Sequence, residues 1–212
     1  MKSAWWHAWR CNRCDTERAS EETRRTLLLA SFEEIHRCGF QASSLQNILK
    51  NTKLTKGALY HHFRNKQDIG YAVVDEILKD FIHEQWIKPL AQTNDPIQTL
   101  KEIMQYTGEQ MTQEDIELGC PLNNLSQEMS SIDDGFRHRI EGLYQDWRVA
   151  IADALESGKA RQLVREDVNT KQFAIVFVAT LEGCIGMAKS SQDMEILQEC
   201  GMGLMDLLET LR

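Results

Sequence analysis

The stretch Thr55-Lys56-Gly57-Ala58-Leu59-Tyr60-His61-His62-Phe63, with Lys66 just beyond it, reads as a short exposed helix suited to nucleic acid. Thr55 is a good N-cap, because its hydroxyl can accept a hydrogen bond from an orphan amide of the first helical turn. Gly57 falls in that turn. Glycine there costs the helix roughly 1 kcal/mol relative to alanine, and the missing side chain lets backbone come close to a phosphate or a base edge. Upstream, Ser43 and Gln46 have the spacing of a capping box and open a second short helix carrying Leu45, Ile48 and Leu49. The polar run Lys50-Asn51-Thr52-Lys53 closes that helix, and Leu54 plugs the turn. Two short capped helices on either side of a tight turn make a helix-turn-helix.

Working outward, the chain shows Thr23-Arg24, Leu27-Leu28, Ala30, Phe32 with Ile35, Gly39-Phe40, Ser43-Ser44, Ile48, and then Thr55-x-Gly57-x-Leu59-Tyr60-x-His62-Phe63-x-x-Lys66. Over about residues 21 to 70 this order resembles the DNA-binding domain of TetR-family transcriptional regulators. It departs from the family pattern at Leu49, where Ala usually follows the isoleucine of the second helix, and in the turn, where Thr52-Lys53 replaces the usual Ala-Gly. The resemblance implies an all-α protein with a three-helix helix-turn-helix head and a helical body for ligand binding and dimerisation. It implies that Tyr60, His62 and Lys66 bind phosphates while Leu59 and Phe63 face inward, although Tyr60 and His62 are also amphipathic residues of the kind that pack on a small core. Lys56 and His61 are the candidate base readers, with Thr55, Gln46 and Asn47 secondary to them and Ser43, Ser44 and Gly57 completing the expected DNA-contacting set.

Charge agrees with a DNA-binding head. The chain of 212 residues carries −8 overall, which by itself disfavours nucleic acid, but residues 1–66 hold twelve Lys and Arg against six acids, a net of +6, and the remainder holds −14. A basic head on an acidic body is oriented on DNA by phosphate attraction at one end and repulsion at the other. With 42% hydrophobic residues the chain can bury a real core. Apolar residues recur at helical spacing throughout. No stretch is read as apolar enough to span a bilayer, and no signal-peptide core is seen, so a cytoplasmic protein is expected.

The expected division is an N-terminal extension over 1–20, a helix-turn-helix domain over 21–66 and a body over 67–212. Helix 1 is expected from near Glu21 to Cys38, ended by Gly39. A further helix should run from Lys66 or Gln67 past Trp86 to a stop at Pro89, linking head to body. Others are expected over about 96–111, after Cys120-Pro121, and from Asp133 or Asp134 to Ser157-Gly158. The last two helices, about 170–189 and 193–211, are apolar on wide faces with small residues between. By the resemblance they form the dimer interface, with Phe173, Phe177, Ala179, Gly183, Gly186, Leu197, Leu204 and Leu208 as its candidates. An ordinary buried hairpin is the alternative.

Met104, Met111, Leu118, Leu122, Trp147 and Phe177 are candidates to line an effector cavity, though each also suits a plain core. The effector expected there is small and largely apolar or aromatic. Cys38, Cys120, Cys184 and Cys200 are scattered through helical patterns and read as small buried hydrophobes. His7, Cys11 and Cys14 lack a fourth ligand, so no metal or other cofactor is expected, and the segment holding them reads as a flexible extension. The function expected is a homodimeric repressor on a palindromic operator, released by a small inducer. An activator, or a redox sensor using Cys38 or Cys120, is the alternative. An enzyme using His61, His62 or His138 finds no accompanying nucleophile, phosphate loop or metal motif.

Overall fold

The structure, a computed structural model, describes residues 18–212. The extension and its His7, Cys11 and Cys14 lie outside the described residues, apart from the last residues before Glu21. Among the described residues there are helices and no strands. They form two compact units, one of residues 18–80 and 121–141, the other of 81–120 and 142–212.

In the first unit, α1 (Arg18–Cys38) buries Leu27, Leu28, Phe32 and Ile35 and ends at Gly39, whose φ of +84° a side chain would strain. The two amides that follow, of Phe40 and Gln41, donate to the Glu128 carboxylate at 2.7 and 2.8 Å. α2 (Leu45–Thr52) and α3 (Lys56–His62) make the helix-turn-helix. The N-cap of α2 is Ser44, which accepts from the Asn47 amide; Ser43, expected in that role, is buried and donates to the Phe40 carbonyl instead. The turn without a glycine is made by Lys53, which takes the left-handed conformation at φ +57°. Beyond α3, Asn65 caps α4 (Lys66–Ala72). α9 (Pro121–Met129) supplies Glu128, and the start of α10 (Asp134–Ala160) sets Phe136 edge-on to Phe40 and Tyr71. A Cβ on Gly70 would sit 2.5 Å from both Phe40 and Phe136, so only glycine fits this helix crossing. Asp133 caps α10 through the Phe136 amide and accepts from the Tyr71 hydroxyl at 2.8 Å.

From α4 the chain stays helical through a π-helical segment (Val73–Leu78), α5 (Lys79–Ile82), a second π segment (His83–Ile87) and α6 (Lys88–Ala91). Pro89 therefore does not stop it. The π register widens the helix just ahead of Pro89: the Lys88 amide bonds to the His83 carbonyl, and at the first turn of α6 proline needs no partner for the N–H it lacks.

The second unit holds α7 (Pro96–Gln110), a short α8 (Gln113–Leu118) with a Thr112/Asp115 capping box, most of α10, α11 (Thr170–Ser191) and α12 (Met194–Glu209). α10 passes Gly158, expected to end it; a Cβ there would meet Val164 and Pro96 within 2.8 Å, so this glycine serves a close contact. The end of α12 is tied to the start of α7 by the Lys101–Glu209 pair and by Arg212 to Asp95 at 2.9 Å. Two expectations fail here. Cys184 and Cys200 are not separate thiols but form a disulfide between α11 and α12, with Cα atoms 5.9 Å apart. And α11 is, by length and composition, apolar enough to cross a membrane, with 33% of its apolar window buried.

Candidate nucleic-acid interface and effector cavity

α3 is fixed from inside. Leu59 is fully buried and Phe63 nearly so, with the Arg24 guanidinium over the Phe63 ring at 5.2 Å. Thr55 caps the helix by accepting from the Ala58 amide, which holds its hydroxyl in the first turn. The opposite side presents Lys56, Gly57, Tyr60 and His61 to solvent, with Tyr60 at 51% exposure. A Cβ on Gly57 would meet only the Thr55 hydroxyl, at 3.7 Å, so the fold itself does not demand glycine here.

The remaining sequence candidates divide. Gln46 is exposed on α2 and Ser44 is half-buried as its cap. His62 is half-buried, and its pKa is lowered by that burial and then by His61 and Arg24, which favours a neutral imidazole that bonds without carrying charge. Lys66 reaches back to donate to the Gln41 carbonyl at 3.0 Å and lies over the Phe40 ring. Ser43 points inward, as its hydrogen bond requires. Asn47 gives its side-chain amide to the buried carboxylate of Glu34, which Arg37 also holds, so this side chain is engaged within the head.

The second unit contains a cavity of about 350 Å³. Of the six cavity candidates, Met104, Met111 and Trp147 line it. Leu118, Leu122 and Phe177 do not: Leu122 belongs to the other unit, and Phe177 is fully buried, its ring stacked with Phe173 and edge-on to Trp86. Sequence reading missed Phe81, Trp86, Glu182, Met202 and Met205, all of them in the wall. The signal for Glu182 was available, since it is the single acid in the apolar α11. It is 6% exposed; one carboxylate oxygen accepts from the Cys120 thiol at 3.3 Å and the other has no partner. Burial pushes its pKa up to about 7, against a smaller lowering by the thiol. The Trp147 indole N–H is likewise buried without a partner.

The dimer candidates also divide. Phe177 and Leu208 are buried inside the unit's own core and Leu197 and Leu204 line the cavity, whereas Ala179, Gly183 and Gly186 are exposed on α11 and Phe173 is half-buried. The large apolar residues left exposed on these helices are Ile175, Val176, Met187, Ile196 and Met202, the last of which also lines the cavity. A Cβ on Gly183 or Gly186 would meet nothing within 4 Å.

Two family models match the chain: bacterial regulatory proteins of the tetR family over residues 27–73, and the tetracyclin repressor-like C-terminal domain over 96–201. An uncharacterized HTH-type transcriptional regulator in the lacX 3' region of Lactococcus lactis is 29% identical, covering 89% of this chain and 92% of its own length. The transcriptional regulator AcuR of Cereibacter sphaeroides is 28% identical over 78% of this chain and 75% of its own. The crystal structure of regulatory protein TetR from Rhodobacter sphaeroides superposes with a TM-score of 0.78 at 24% identity, covering 87% of this chain and 97% of that one, and shares the fold.

Proposed function

Because the chain belongs to the TetR family of bacterial transcriptional regulators, we propose that it acts as a homodimeric repressor that binds a palindromic operator through α3 and is released when a small molecule occupies the cavity of the second unit. The observation that carries this reading is the two-sidedness of α3, with Leu59 and Phe63 anchoring it and Lys56, Gly57, Tyr60 and His61 left to a partner. Lys56 and His61 read base edges. Tyr60, Lys66, the neutral His62 and the hydroxyls of Ser44 and Thr55 meet phosphates, with Gln46 flanking and Gly57 giving the backbone its closest approach. Cytoplasmic localisation goes with this role.

Dimerisation uses the outward face of α11 and α12, where Ile175, Val176, Met187 and Ile196 surround positions open enough for a second copy's backbone at Gly183 and Gly186. This face accounts for the apolarity of α11 better than a bilayer does, since the same helix also buries Ala174, Phe177, Val178 and Ala188 in its own unit. Release follows from population shift: an effector that prefers the conformation of lower operator affinity weakens binding by its differential affinity for the two states and by no more. Phe81, Ile82 and Trp86 in the cavity wall lie on the helical run that begins at Lys66, just past α3.

Selection of bound fragments from the source organism's DNA tests the reading: recovery of an inverted repeat supports it, and fragments without a shared sequence contradict it. The Cys184–Cys200 disulfide favours one second reading, regulation by thiol redox state, now through that pair rather than through Cys38 or Cys120. Operator release when dithiothreitol reduces the disulfide, reversed on reoxidation and absent in Cys200→Ser, would establish it.

A further inference from the structure

Resting on the reading of the cavity as the effector site, we propose that the effector is a hydrophobic amine, whose protonated nitrogen seats against the unpartnered carboxylate oxygen of Glu182 while an aromatic body lies against Trp86 and Trp147. Three observations carry this. The carboxylate belongs to a buried residue of a largely apolar wall, and its sole hydrogen-bond donor is the weak Cys120 thiol, so one oxygen is left without a partner. A buried acceptor without a partner costs free energy that a charged N–H donor repays with a short, strong bond. Among the described residues, the ionisable side chains in the wall apart from the Cys120 thiol are Glu182 and Glu109 and no Lys, Arg or His lines it, so an anionic ligand would meet repulsion and a cation would not.

The shape of the wall agrees with the charge. The Trp86 and Trp147 rings stand 4.9 Å apart and offer indole surface to both an aromatic ring and an ammonium group. Met104, Met111 and Met205 add unbranched, polarizable side chains that adapt to an irregular apolar body. The Trp147 N–H, buried and unpaired in a residue of the wall, would donate to an oxygen or ring nitrogen of the same molecule. A volume of about 350 Å³ suits a compact bicyclic amine rather than an extended chain. The raised proton affinity of Glu182 supports the assignment, since an entering cation stabilises the ionised form that burial disfavours.

The test uses the full-length dimer and three matched probes: 3-(1-naphthyl)propylamine, the corresponding alcohol and the corresponding carboxylic acid, titrated by calorimetry at pH 7.5. The amine is expected to bind at least about tenfold more tightly than the alcohol, and the acid most weakly. Glu182→Gln, which keeps the side-chain shape, should abolish the preference of amine over alcohol. Equal binding of amine and alcohol to the native protein, or an undiminished preference in Glu182→Gln, overturns the proposal while leaving the cavity as the effector site. If none of the probes binds, or if Met104→Trp, which fills the cavity, binds them as the native chain does, both the proposal and the cavity reading fall.

Discussion

Lys56 and Glu182 are the single side chains on which the two proposed sites can be tested. Lys56 stands at the first position of α3, exposed beside Gly57. Lys56→Ala should relax preference at one or two base positions by about 1–3 kcal/mol and leave affinity for non-operator DNA almost unchanged, as competition with single-base operator variants would show. Tyr60→Phe is the better phosphate probe than Lys66→Ala, because Lys66 also holds the Gln41 carbonyl and its loss would disturb the head. Glu182 makes stability depend on pH. Its pKa in the folded protein, about 7, exceeds the unfolded value near 4.5, so the folded state holds a proton that the unfolded state has lost between those two values. Stability therefore falls as pH rises from about 4.5 to about 7 and stays low above, by on the order of 3 kcal/mol. Glu182→Gln should raise Tm distinctly more at pH 8 than at pH 5; equal shifts would mean that the carboxylate is not desolvated as described. This residue also marks a limit of legibility: an acid inside an apolar helix is visible in sequence, but that it lines a cavity and leaves one oxygen without a partner is not.

Among the elements, those with local signals were legible. α2 and α3 follow from caps and turn residues near one another in the chain, and Gly39, Asp133 and Pro121 punctuate helices as their chemistry requires. What was not legible depends on partners distant in sequence. Glu128 closes the turn after α1 from 88 residues away, Gly158 looks like a helix end until Val164 and Pro96 are seen against it, and Lys53 replaces a turn glycine at a backbone cost that surrounding structure carries. Lys53→Gly should accordingly stabilise the head by up to about 1 kcal/mol, measurable by denaturant unfolding, since it relieves the left-handed strain. The pairing of Cys184 with Cys200 is hidden for the same reason: they sit on separate helices, and their bond is a product of how α11 folds back on α12. A loop of that size, with a sequence separation of 16, constrains the unfolded chain by about 3 kcal/mol. Reduction should lower the Tm of the native chain and leave that of Cys200→Ser unchanged.

For the whole molecule, the account couples an α3 surface, a cavity and an outward face on α11 and α12. Gly183→Leu separates the last from folding, because the added side chain meets open space in the monomer and would collide only with a second copy. It should yield a folded monomer by sedimentation velocity with reduced operator affinity; an unchanged dimer would place the interface elsewhere. The most direct measurement is the affinity of Gly57→Val for the selected operator, taken beside its circular dichroism and its oligomeric state. A Cβ added at this position meets only the Thr55 hydroxyl, at 3.7 Å, so a folded dimer that has lost operator binding is expected, because the branched side chain holds α3 away from the groove. Full operator affinity in Gly57→Val would contradict it, and DNA recognition would have to reside outside α3.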